Sequence, residues 1–209
     1  RVGGSVKLKG PIKMNIIEIA GSLTIDGDAE VKQFEASGSS KISGLLKSER
    51  VKIAGSMSAN SIIASEVKVA GAMHVNDLIE AVDIEIAGSL KAERIKCRRI
   101  DIAGKVEAKR IEAVEVNIHR KSRVYGEIVA CRVNVGVDAE VEKIVAREVT
   151  VKRDAVIEYL EAEIVNVGRD AEIDTLKYIV NANIDPSAYI GKMEKIDKLS
   201  VDVKCEEAG

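Results

Sequence analysis

Aromatic rings are almost absent from this chain. Its 209 residues include one Phe, four Tyr and no Trp, namely Phe34, Tyr125, Tyr159, Tyr178 and Tyr189. Carbohydrate platforms, single-stranded nucleic-acid modules and most small-molecule pockets use aromatic faces, so this composition argues against all three. Imidazoles are as scarce: His74 and His119 stand 45 residues apart, which excludes a three-histidine zinc site within one chain. No metal, cofactor or small-molecule substrate is expected. The three cysteines, Cys97, Cys131 and Cys205, are odd in number, far apart and in no CxxC spacing. The expectation is therefore free, buried thiols in a reducing cytoplasm. No apolar run approaches the ~20 residues that span a membrane, and no signal peptide is visible.

What remains is aliphatic and charged. Apolar residues make up 46 % of the chain and charged residues 32 %, with a net charge of −2. That is enough apolar material for a core, which argues against disorder. The charge is unevenly spread. Residues 1–90 carry 10 basic and 11 acidic side chains, residues 91–153 carry 16 and 10, and residues 154–209 carry 6 and 13. A basic middle and an acidic C-terminal stretch could steer partners or self-association.

A repeat organises these residues. I-A-G recurs at Ile19–Gly21, Ile53–Gly55, Ile86–Gly88 and Ile102–Gly104, with V-A-G at Val69–Gly71 and A-S-G ending at Gly38. The glycines advance in steps of 16 or 17. Farther on the glycine is lost but the register persists, as V-G-V-D-A-E-V from Val135, V-K-R-D-A-V-I from Val151 and V-G-R-D-A-E-I from Val167.

Three apolar columns run through the units. One holds pairs two residues apart, among them Ile17/Ile19, Phe34/Ala36, Val51/Ile53, Ile100/Ile102 and Val165/Val167, continued less faithfully by Asn181/Asn183 and Leu199/Val201. A second contains Leu45, Ile62, Leu78, Ile95, Ile111, Ile128, Ile144, Leu160 and Leu176. A third contains Ala59, Val75, Ala92, Ala108, Val141, Ile157 and Ile173. Three short period-two segments per unit predict three strands. Stretches such as SLKAERIKCRRI have helical spacing, but a strand-plus-helix repeat needs ~20–29 residues. Recurrent β-branched pairs also suit strands better.

The expected architecture is thus all-β, a single three-sided parallel β-helix of about 11–12 rungs, each of 16–17 residues. Residues 1–209 are read as one domain: a partial first rung at 1–16, regular rungs over 17–183, and an irregular rung or cap at 184–209. Rungs stacked ~4.8 Å apart would make a rod of roughly 55 Å. Glycine at the corner is expected to allow a turn strained for other residues, and Asp in D-A-E to bond within its own turn. Pro11 and Pro186 fall near the ends, where a missing ladder N–H does least harm.

Repeated G-S-L-x-A and A-G-x-V/M units, then R-V-Y-G-E-I-V-A at 123–130 and V-D-A-E-V at 137–141, resemble the bactofilins. These are polymer-forming cytoskeletal proteins built on a right-handed β-helix. The similarity covers roughly residues 15–180. It implies the right-handed sense, which spacing does not reveal. It further implies self-assembly into filaments, cytoplasmic or membrane-associated scaffolding, and no catalytic residues. Twelve rungs exceed the compact core of that family, and this chain has no Pro-rich tails.

Three surfaces are candidates for function. Stacked outward carboxylates, Glu18 with Glu35 and Glu85 with Asp101, would lie near the ~5 Å spacing of a retaining glycosidase pair. They have no aromatic platform and no long loops to wall a cleft, and Glu35 can meet Lys52 and Lys68 can meet Glu85 as solvated pairs. An enzyme is therefore not expected. A basic belt, Arg98, Arg99, Lys109, Arg110, Arg120, Lys121 and Arg123, could dock an anionic membrane surface or an acidic protein, though without base reading. Finally, a β-helix exposes a strand edge at each terminus, which templates pairing unless capped. Val6, Leu8 and Ile12 at one end, and a last strand with Leu199, Val201 and Val203 at the other, are the expected self-assembly interface. A non-enzymatic scaffold that assembles through terminal rungs is the leading expectation. A monomeric or dimeric module docking through the belt is the alternative.

Overall fold

A computed structural model describes residues 3–205. Among them there is no helix, so none is long and apolar enough to cross a membrane. The chain coils into a β-solenoid of about 11 turns joined by parallel pairing. The chain divides into two compact units, Arg1–Cys97 and Arg98–Gly209. The first holds β1 (Ser5–Lys9), β2 (Ile12–Ile19), β3 (Ser22–Asp26), β4 (Ala29–Ala36), β5 (Ser39–Ile53), β6 (Ser56–Val69), β7 (Ala72–Ile86) and the start of β8 (Ser89–Ile102). Here β1 pairs with β3 and β2 with β4. Both β3 and β4 then pair with the long β5, which leads to β6 and β7. The second unit contains β9 (Lys105–Ile118), β10 (Arg123–Val135), β11 (Glu140–Val151), β12 (Val156–Val167), β13 (Glu172–Ile184) and β14 (Tyr189–Lys195). Each of these pairs in parallel with the next.

The sequence predicts three strands per turn. Each of β5 to β13 runs unbroken for 12 to 15 residues around one turn, but its pairing falls into three runs, as at Glu140–Val141, Lys143–Ala146 and Glu148–Val151, which are the three expected segments. Alternation still sorts the side chains. Val133, Val149 and Val165 stack on one another and are fully buried, as are Ile128, Ile144 and Leu160. Such ladders fill a narrow interior with slim aliphatic groups and satisfy the backbone at the same time. The lone Phe34 is buried between Ile17 and Val51.

The second column shifts by one residue at two of its places. Leu46 and Ile79 point inward, whereas Leu45 and Leu78 are only half-buried. The ladder slips between Ile42 and Leu45 and between Ala59 and Ile62. An extra residue at a bulge reverses which of two adjacent apolar residues faces the core. The same happens near the C-terminal end. Val165 pairs with Ala182 and Val167 with Ile184 after a slip past Ala162, so Asn181 and Asn183 face outward.

The corner glycines act differently from expectation. Among the described residues only Gly27 and Gly126 are glycines with positive φ. At Gly38, Gly71 and Gly88 an added Cβ would instead lie 2.0 Å from the carbonyl oxygen of the preceding turn's glycine. Glycine is required there because two backbones stack in contact. The left-handed conformation falls to other residues: Lys121, Asp138, Asp154 and Asp170 have φ of 60°, 56°, 57° and 54°. Asp tolerates this region better than most L-residues. Ala139, Ala155 and Ala171, each following such an Asp, are fully buried.

The C-terminal part corrects two further expectations. Residues 189–195, expected to be irregular, form β14, while Leu199, Val201 and Val203 belong to no strand. Cys131 and Cys205, expected to be free, are joined in a disulfide across 74 residues with Cα atoms 5.5 Å apart. That separation suits the bond. Cys97 is the buried free thiol that was expected.

Candidate interaction surfaces

The basic belt does not form one face. Arg98 and Arg99 precede the buried Ile100, Lys109 and Arg110 precede Ile111, and Arg120, Lys121 and Arg123 flank Ser122 and lead into Val124. These are three separate stretches of the turn. Carboxylates of neighbouring positions also engage the belt. Arg110 meets Glu112 at 2.7 Å and Glu127 at 2.8 Å, Arg123 meets Glu140 at 3.1 Å, and Arg120 lies 3.7 Å from Asp138. Exposed pairs such as Arg123–Glu140 and Arg120–Asp138 contribute about 0–1 kcal/mol each, but all four locally cancel the field an anionic partner would feel.

In the first unit the expected pairs form, Lys52 to Glu35 at 3.5 Å and Lys68 to Glu85 at 3.0 Å. Arg50 and then Lys68 bond Glu66 and hold its carboxyl below the usual range. Asp101, in the second unit, stands 3.8 Å from His119. His74 is exposed beside Ser58. Among the described residues no three His, Cys, Asp or Glu side chains are grouped to hold a metal ion. A shallow groove of about 570 Å³ on the first unit is bordered by Lys13, Met14, Glu30, Lys47 and Ile63, with charges of both signs.

The edge strands differ from interior turns in one respect. Val6 and Leu8 stack on Leu23 and Ile25, and Ile12 and Met14 on Ala29 and Val31. They continue the inward columns, yet Val6 is 38 % and Met14 49 % exposed while Leu23 and Ile25 are buried. At the last strand of the second unit, Ile190 stacks on Ile173 and Met193 on Leu176. Met193 is 47 % exposed and Ile190 half-buried, over residues that are fully buried. The expected interface residues Val6, Leu8 and Ile12 thus do lie on an edge.

Leu199, Val201 and Val203 lie elsewhere. After β14 the chain leaves the ladder and folds back along the flank of β10, β11 and β12. Val203 packs with Val129 and Val145, joined by Leu199, Val201 and the two bonded cysteines. Arg147 donates through Nη2 to the Val203 carbonyl at 3.2 Å. Glu161 is buried beneath this strap, where its Oε1 accepts from the Ser200 N–H and its Oε2 from the Tyr159 hydroxyl. Burial, then the bond to Glu161, pushes the Tyr159 phenol well above its usual range. Lys143 and Lys177 lie over the Tyr159 ring at 5.4 and 5.7 Å, a modest cation–π contribution.

The strap was the functional feature least visible in the sequence. Its local signal is the pair of apolar triplets Ile128-Val129-Ala130 and Ile144-Val145-Ala146, since a solvated outward position would break such a run. No family model matches this chain, and no curated protein or solved structure matches it either.

Proposed function

We propose that this protein is a non-enzymatic structural scaffold that assembles into filaments or oligomers by stacking edge strands of separate copies, as the resemblance to bactofilins implies. The observation that carries it is the state of the two edges. Val6, Leu8, Ile12 and Met14 on one, and Ile190 and Met193 on the other, extend the buried columns and are left partly open. A second copy would continue both the apolar columns and the unpaired backbone ladder, and repeated unlike-edge stacking gives a fibre. The C-terminal contact is accordingly assigned to Ile190 and Met193, in place of Leu199, Val201 and Val203. Docking to an anionic surface through the basic belt has less support, because the belt spreads over three stretches and is partly neutralised by Glu112, Glu127, Asp138 and Glu140.

Electron microscopy and sedimentation of the purified chain test the proposal. Fibres or concentration-dependent oligomers are expected, and Met193→Lys with Ile190→Lys should return them to monomer. A wild-type chain that stays monomeric at all concentrations and salt levels overturns it.

A further inference from the structure

We infer that the Cys131–Cys205 disulfide is a redox latch: it holds the segment 198–205 over a lateral strip of the second unit, and reduction by a dithiol releases that segment. The strip is the outward position between the paired inward residues of the middle of each turn. In this unit it reads Glu112, Val129, Val145, Glu161 and Lys177 in register. Glu112, beyond the strap, is exposed, as a solvated outward residue should be. Directly under the strap the position is apolar at Val129, 6 % exposed, and Val145, 0 % exposed, and at Glu161, also buried, it is a carboxylate that accepts from the strap's Ser200 N–H. The adjoining alanines respond in the same way. Ala113 keeps 7 % of its surface, whereas Ala130, Ala146 and Ala162 keep none. The sequence of the strip is therefore fitted to a cover that this chain itself supplies.

The cover is held lightly apart from the covalent bond. Residues 199–205 make no strand ladder. Their polar attachments are the Ser200 N–H on Glu161 and the Val203 carbonyl on Arg147, together with the small Val129–Val145–Val203 cluster. Cys131 and Cys205 are both partly exposed, so a reductant can reach them. Attack by a thiolate of the dithiol breaks the S–S bond and forms a mixed disulfide. Its second thiol then closes a cyclic disulfide and displaces the remaining cysteine. Two electrons and two protons pass to the protein, leaving two thiols and one oxidised dithiol. With the tether gone, a segment lacking ladder bonds opens far more often, which uncovers Val129, Val145 and Glu161.

Amide exchange read by mass spectrometry tests the latch on the full chain, air-oxidised and then dithiol-reduced. Reduction should speed exchange of the Ser200 amide, which is bonded to Glu161, at least tenfold and leave the ladder amides of β10–β12 unchanged. Cys131→Ser should give the same pattern without reductant. Alkylation of the folded chain should label no cysteine before reduction and two after it. Cys97 should be spared, because burial, with Asp83 nearby, pushes its thiol up to about 12. Equal protection of the Ser200 amide in both states overturns the latch. So does a matching rise throughout β10–β12, or alkylation of Cys131 and Cys205 in unreduced protein.

Discussion

From Gly38 to Gly88 the corner of the turn is closed by a residue of ordinary φ that lacks a Cβ. From Lys121 to Asp170 the residue that closes a corner has a Cβ and a left-handed backbone. The two solutions answer different constraints. In the glycine corners successive turns touch: the N–H groups of Ala54 and Gly55 both donate to the Ala36 carbonyl, and those of Ala87 and Gly88 to Val69. The backbones are then too close for a methyl group. In the aspartate corners the N–H of the left-handed residue reaches forward. Asp138 donates to the Arg153 carbonyl and Asp154 to that of Arg169. One corner is limited by its neighbour and the other by its own dihedral angle, so the same type of substitution should have different consequences in the two units.

The largest effect is expected where backbone meets backbone. In Gly71→Ala the new methyl would sit 2.0 Å from the Gly55 carbonyl oxygen and 2.5 Å from that of Ala54. Neither oxygen lies on a flexible side chain, so a ladder segment must move. Overpacking of this kind costs about 3 kcal/mol, or roughly 6–12 °C in Tm for a chain of this size. Calorimetry would measure it. Because each turn contacts mainly its neighbours, amide exchange should rise first in β5–β7. A loss below about 1 kcal/mol would show that the turns are not held in contact.

The aspartate corners should respond less, and in a graded order. Asp154→Ala keeps the left-handed requirement but loses the short polar side chain that tolerates it, for a cost of about 1 kcal/mol. Asp154→Gly removes the strain and adds chain entropy to the unfolded state, so the two terms nearly cancel, to within about 0.5 kcal/mol. Denaturant unfolding of the pair should therefore rank Gly above Ala. The reverse order would mean that the carboxylate, and not the dihedral angle, selects Asp here.

How much of this was legible follows from where the constraints lie. Valines 133, 149 and 165 repeat at a fixed interval, and that interval carries the solenoid, the strand class and most of the buried columns. The period places Leu45 inward where Leu46 is buried, because two adjacent apolar residues fit either side of a one-residue bulge. Leu199, Val201 and Val203 alternate as a strand would, yet without a neighbour in register they pack as a strap. The Cys131–Cys205 bond leaves no local trace, since its partners are 74 residues apart. Period reveals contacts between copies of a repeat and is silent about a segment that crosses them. For the candidate interface, the N-terminal edge was readable from the alternation of Val6 and Leu8. The C-terminal edge is displaced because the irregular pattern of residues 184–195, with Pro186, reads as the end of the ladder, whereas residues 189–195 form β14.

Lys121 offers the smallest and most discriminating test of the comparison. It is the first of the four left-handed residues and the one that is not Asp. Its N–H donates to the Val137 carbonyl, and Ser122 after it is buried with its hydroxyl on the Ile102 carbonyl, so the corner is fixed on both sides. A long cationic side chain has no local bond to offset the left-handed cost of about 1–2 kcal/mol. Glycine would remove that cost and return part of it as unfolded-state entropy. Lys121→Gly should thus stabilise the chain by about 0.5 kcal/mol, and Lys121→Asp by less, with Tm rising by roughly 1–2 °C. If Gly stabilises at 121 but is neutral at 154, the difference measures what the aspartate side chain contributes to its corner. If Gly destabilises at both, φ is not the quantity that distinguishes this unit from the glycine-cornered one.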